Sequence, residues 1–198
     1  VNANRIRLVG FSNGAGLVNQ AFIELDEPGV DAFVAFVSQM NAPQFHQGAF
    51  YRPSGATNAP LDFCGYDVAV EPLLGRKYIS ICNHNDSVVP YAGGPAVGTF
   101  FPPAEVSIYG VALQQGHNGP TVSGEALGNL TLFRYLDDQV VLIRGNAQHG
   151  TDDEQLVQVA GFLAVDEEPE NSDEAECPED LSLDGLVAVD DVLILLGE

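Results

Sequence analysis

The sequence predicts an α/β fold with a mostly parallel sheet, and three observations carry that prediction. Short apolar runs alternate with segments of helical periodicity along the first 165 residues. One run, Ala32-Phe33-Val34-Ala35-Phe36-Val37, is apolar at every position. A parallel strand covered on both faces has to be so. Polar, glycine-containing loops follow the carboxyl ends of several runs, where open α/β sheets carry their sites.

The elements follow in order. Arg5 to Gly10 reads as a short strand stopped by a glycine. Gly14 to Leu25 reads as a helix, with apolar residues at 17, 18, 21, 22 and 25, and Pro28-Gly29 ends it. Residues 41–75 are rich in Pro, Gly, Asn and aromatics and read as a long irregular excursion, a kind of segment that is usually functional. Its Phe45, Phe50, Tyr51 and Phe63 are either the wall of an acyl pocket or ordinary loop packing. Tyr78 to Cys82 is the next strand and runs into a polar turn, Asn83 to Pro90, and a Gly-rich loop ending at Gly94. Leu130–Leu136 and Gln139–Arg144 read as two strands around Asp137-Asp138. Gly145 to Gly150 is a loop holding His149. A helix then runs from Asp152 to about Ala164, with acids at its positive end.

Charge narrows the partners. The 198 residues include 28 acids and 7 bases, a formal net charge of −21. Such a surface repels phosphate backbones and anionic membranes, so neither nucleic acid nor a membrane is expected as partner. No apolar run reaches the roughly 18 to 20 residues of a membrane span. The acid is uneven: residues 166–198 hold 13 of the 28 acids and no Lys or Arg. Three units are therefore expected: a body at 1–165, an acidic linker at 166–179 and an apolar-ended tail at 180–198. Cys64, Cys82 and Cys177 fit no zinc spacing; one disulfide with one thiol, or three thiols, are both open.

Gly10-Phe11-Ser12-Asn13-Gly14 matches the G-x-S-x-G pattern, with a strand before it and a small-residue helix after it. At a strained strand-to-helix turn the Ser12 hydroxyl is exposed, and glycines two before and two after let the backbone fold tightly. The helix N-terminus favours developing negative charge, with the Asn13 backbone N–H as one oxyanion donor. The bland alternative is a Gly-rich turn with a capping serine. A serine nucleophile needs a base, and the base needs an orienting acid. Asp86 and His149 follow strands in the chain order Ser, Asp, His. Asp86 is otherwise a turn aspartate bonding its own backbone, and His149 a loop histidine. His46, His84 and His117 are rivals in less suitable order.

Three segments together resemble the polyhydroxybutyrate depolymerase and feruloyl esterase-like branch of the α/β-hydrolases. They are Val9 to Gly16, Asn83 to Gly94 with its Asp86-Ser87-Val88-Val89-Pro90-Tyr91-Ala92-Gly93-Gly94 run, and Gln148-His149-Gly150. The resemblance covers residues 5 to about 164 in order. It implies the carboxyl half of an α/β-hydrolase sheet, from the nucleophile strand on. It also implies Ser12 as nucleophile, Asp86 as acid and His149 as base. The activity implied is hydrolysis of carboxylic esters, either plant cell-wall feruloyl or acetyl esters or hydroxyalkanoate polyesters, without a catalytic cofactor and outside the cytoplasm, in an extracellular or periplasmic setting. Two departures stand out: Asn146-Ala147-Gln148 precedes His149, and the chain has no Trp. Eleven residues precede Ser12, so the family's earlier strands, and the loop giving the other oxyanion donor, are expected upstream in a longer gene product.

The tail has its own pattern. Against the twelve-residue calcium loop, Asp180 stands first, Ser182 third, Asp184 fifth, Gly185 sixth, the Leu186 carbonyl seventh and Asp191 twelfth. Val192 to Leu196 then reads as a short apolar helix. This resembles half of a dockerin, which implies Ca2+ in the tail and a cohesin-like partner. The alternative is an acidic turn before a hydrophobic helix. For the whole chain the alternative to an esterase is a non-catalytic remnant or assembly module anchored through the tail. A peptidase of the same fold is a third reading.

Overall fold

A computed structural model of the chain describes residues 6–56 and 62–164. Within them the elements run β1 (Ile6–Phe11), α1 (Asn13–Glu24), β2 (Val30–Phe36), β3 (Phe45–His46), β4 (Ala49–Pro53), a tight turn at Asp62–Gly65, β5 (Tyr66–Val70), β6 (Lys77–Asn83), β7 (Gly94–Ala96), β8 (Thr99–Phe101), α2 (Ala104–Gln114), β9 (Glu125–Leu127), β10 (Leu130–Tyr135), β11 (Val140–Gly145) and α3 (Asp153–Ala164). The fold is mixed α/β. Its central sheet has the order β1-β2-β6-β11-β10-β9. The first four of these strands are parallel, and β10 and β9 close the far edge antiparallel.

The apolar runs are explained by two cores. Alternate residues of the same strands feed opposite faces. Phe33, Ala35, Tyr78, Cys82, Val140 and Leu142 lie under α1 and α2, which add Phe22, Ile23, Ile108 and Val111. Val34, Phe36, Ile79, Ile81, Val141 and Ile143 face the other way, toward Val159 and Phe162 of α3. With both faces covered, polar alternation along a strand would bury unpaired polar groups. Each of these large side chains contributes roughly 1.5–3 kcal/mol on burial. Strand β1 is an edge of the sheet among the described residues, and its Val9 and Phe11 are exposed.

One expectation needs correction, and one alternative left open by the sequence is resolved. The described residues of the excursion 41–75 are not wholly irregular: β3, β4 and β5 form an antiparallel sheet of their own. Nor do its four aromatics line one pocket. Phe50 is buried in the core against Phe22, and the Phe45 ring packs so closely on Gly110 that a Cβ there would collide with it. Tyr51 and Phe63 instead stack on the two sides of His46, with centroids 3.8 Å away in each case. Helix α2 also lies in a stretch, residues 95–129, whose pattern predicts no element. The reason is local: Val106 and Leu113 are exposed while Ser107 and Gly110 are buried, which inverts the expected amphipathic signal. No helix among the described residues is long and apolar enough to cross a membrane.

Candidate active site

Because β1, β6 and β11 run parallel, their carboxyl ends share one edge of the sheet, and each delivers one side chain there. Ser12 directly follows β1, Asp86 stands three residues after β6, and His149 four after β11. The Ser12 Oγ and His149 Nε2 are 2.9 Å apart. On the other side of the ring, His149 Nδ1 is 2.8 Å from Asp86 Oδ2. A carboxylate only accepts, so Nδ1 carries the proton and donates it to Asp86. In the neutral imidazole Nε2 is then the acceptor, and the Ser12 hydroxyl donates to it.

The turn at Ser12 is strained. Its φ of 53° and ψ of −113° are unusual for a residue with a side chain and cost of order 1–3 kcal/mol. Flanking bonds hold it: Ser12 N–H donates to the Phe36 carbonyl of β2, and the Ser12 carbonyl accepts the first helical N–H, from Gly16. Ser12 occupies the N-cap position of α1, yet its hydroxyl makes no capping bond. The capping-serine alternative therefore does not describe it. The two motif glycines are not equivalent. A Cβ on Gly10 would collide with the Gly14 carbonyl and stand 2.7 Å from Ala15 N, whereas one on Gly14 would meet nothing within 4 Å. Only the first is required by close approach. Asn13 opens α1, so its backbone N–H is among the first-turn donors that lack an intrahelical acceptor.

Asp86 makes both of the contacts that its sequence left open. Oδ1 accepts the N–H groups of Val88 at 2.7 Å and Val89 at 3.0 Å, the turn interaction. Oδ2 is left for His149. The Asp86 side chain is 1% exposed and that of His149 21%. The carboxylate is thus fixed by its own backbone, while the imidazole edge stays reachable. The Phe11 ring meets the His149 ring edge-on, with centroids 5.9 Å apart.

A second layer of polar side chains, of which the sequence singles out only His84, and that as a rival base, joins the loops after β6 and β11. Asn85 Nδ2 donates to the Asn146 carbonyl, and Asn85 Oδ1 accepts the Gln148 N–H. His84 Nδ1 pairs with Asn146 Oδ1 at 2.9 Å. Asn83 Nδ2 donates to the carbonyls of Gln148 at 2.6 Å and Gly150 at 2.8 Å. Gln148 itself has φ 54°. The sequence does hold a signal for this layer: Asn83 is a polar residue ending an apolar strand, and Asp152-Asp153-Glu154-Gln155 has the spacing of a capping box.

The rival histidines are placed elsewhere. His46 bonds the Ala42 carbonyl, His84 the Asn146 side chain and His117 the Pro120 carbonyl. Cys64 and Cys82 are free thiols, and burial pushes the Cys82 thiol up to about 12. Cys177 and the expected calcium ligands Asp180, Ser182, Asp184, Leu186 and Asp191 lie outside the described residues. Among the described residues no group of three or more His, Cys, Asp and Glu side chains is arranged to hold a metal ion. A scan against protein-family models finds no match to this chain, and searches of curated proteins and of solved structures return no significant match.

Proposed function

We propose that the chain is a serine hydrolase of the α/β-hydrolase type acting on carboxylic esters. The observation that carries the reading is the unbroken chain from Ser12 Oγ to His149 Nε2, 2.9 Å, and from His149 Nδ1 to Asp86 Oδ2, 2.8 Å. In the mechanism, Ser12 Oγ attacks the ester carbonyl carbon while His149 Nε2 takes the hydroxyl proton. The Asp86 carboxylate holds the tautomer and stabilises the imidazolium. The carbonyl oxygen gains negative charge beside the Asn13 N–H at the positive end of α1. Collapse breaks the C–O bond, and the leaving alcohol receives the proton from His149. Water then repeats the sequence on the acyl-serine and returns the free enzyme and acid.

The resemblance noted in the sequence narrows the esters to cell-wall feruloyl or acetyl esters or hydroxyalkanoate polyesters, met outside the cytoplasm. The separate dockerin resemblance makes the tail a calcium-binding appendage for a cohesin-like partner. The test uses the protein with any upstream strands that its gene encodes, a short-chain aryl ester and a serine-directed aryl phosphonate. The reading expects turnover, and one phosphonyl group on Ser12. Turnover that survives Ser12→Ala unchanged overturns it.

A further inference from the structure

We propose that Asn83 and Gln155 are positioning residues for this site. A buried relay of two side-chain amides clamps the backbone on both sides of His149 and so aims the imidazole at Ser12. The proposal rests on the triad reading above and deepens it.

The relay starts at the N-terminus of α3. The Asp152 N–H donates to Gln155 Oε1 at 3.1 Å, and Asp152 Oδ1 accepts the Gln155 N–H at 2.9 Å, a reciprocal cap. Gln155 Nε2 then donates to Asn83 Oδ1 at 2.7 Å. Asn83 directs its own two N–H bonds to the carbonyls of Gln148 and Gly150, the residues on either side of His149. Both amides are fully buried, at 0% exposure.

The direction of the relay is set from both ends. At one end a backbone N–H requires an oxygen, which makes Gln155 Nε2 the donor to Asn83. At the other end two carbonyls require N–H groups, which makes Asn83 Oδ1 the acceptor. Neither amide can flip without placing like against like in a site closed to water. Strand β11 is cut to fit: a Cβ on Gly145 would collide with Gln155 Nε2 and stand 2.8 Å from Asn83 Oδ1. A histidine loop held only by its own turn would have to order itself at each encounter. This one is held by a helix cap and by the end of the neighbouring strand. Misplacing a reacting group by about 1 Å can cost about 10²-fold in rate.

Gln155→Glu tests this with little change of shape. It replaces the donor by an oxygen facing Asn83 Oδ1, and turning Asn83 to relieve that contact would set Oδ1 against the two loop carbonyls. Gln155→Met is the second variant, keeping the length and removing the donor without adding charge. Both are made in the full chain and checked for cooperative melting. Three quantities are read: the rate of phosphonate labelling of Ser12, kcat and KM for an aryl ester, and amide hydrogen exchange over residues 147–150.

The relay predicts labelling and kcat lowered about 10- to 100-fold, KM within about twofold, and faster exchange in the loop. In Gln155→Glu the loss should shrink as pH falls and the buried carboxyl takes a proton, because the neutral acid can donate to Asn83. A purely structural role would not produce that pH dependence. Labelling and loop exchange within about twofold of wild type in either folded variant would overturn the relay alone. A wild-type protein that takes no phosphonate with any upstream strands present overturns the triad reading and, with it, any catalytic purpose of the relay.

Discussion

Ser12 and His149 are 137 residues apart in sequence, yet Oγ and Nε2 meet at 2.9 Å. They can do so because the strands that precede them, β1 and β11, are parallel members of one sheet, separated by β2 and β6. Their carboxyl ends therefore emerge on the same side. The contact depends on the register of three strand pairings, Phe11 with Phe36, Phe36 with Ile81 and Ile81 with Ile143. Slipping any pair by one residue would exchange the two core faces of a strand as well as displace the site.

Asp86→Asn separates tautomer control from loop structure. The Asn side-chain oxygen still accepts from Val88 and Val89, so the turn should keep its fold. Its NH2 then faces His149 Nδ1 and forces the proton onto Nε2, where it opposes the Ser12 hydroxyl. The expected result is kcat lowered by about 10⁴-fold with melting temperature nearly unchanged, measured by aryl-ester kinetics and calorimetry. A loss below about tenfold would mean that the Asp86–His149 bond does not set the tautomer.

The two motif glycines should respond oppositely. Gly10→Ala drives a methyl into the Gly14 backbone and should destabilise by at least about 1–3 kcal/mol. Gly14→Ala places a methyl in open space on a helical residue and should stabilise by about 0.5–1 kcal/mol. Urea titrations of the two variants check this; equal effects would contradict the close approach of α1 to β1.

Cys82 gives a pH dependence of known sign. Burial raises its thiol from an ordinary value near 9 up to about 12. The folded chain thus keeps a proton that the unfolded chain releases, so the associated stability is intact below about pH 9 and falls as pH rises toward 12, by at most about 1.4 kcal/mol per pH unit. Melting curves of Cys82→Ala should show a shallower alkaline decline than wild type between those values. Parallel declines would show that other buried groups, such as Tyr78, which burial also raises, carry the effect.

The tail prediction rests on the calcium-loop spacing of residues 180–191. Calorimetric titration of Ca2+ into the full chain should show one binding event, lost in Asp184→Ala. Absence of heat at millimolar calcium would leave residues 180–198 without a metal role.

The sequence by itself determined the backbone alternation and where along the chain the three candidate side chains stand. Local rules suffice for these: unbroken apolarity at 32–37 marks a strand buried on both faces, Gly-x-Ser-x-Gly between strand and helix marks a strained turn, and Asp86 and His149 follow strand ends. Tertiary structure alone decided what surrounds them. Phe50 belongs to the core rather than to a pocket because β4 packs back onto α1, a pairing no local pattern encodes. Helix α2 has no clear sequence signature because its exposed Val106 and buried Ser107 follow the neighbours that it meets in space. Asn83 and Gln155 are 72 residues apart, and their role exists only when the end of β6 and the first turn of α3 enclose the same dry space. Buried polar groups must find partners, and which partner is within reach is settled by the packing of distant segments rather than by the residues beside them in the chain.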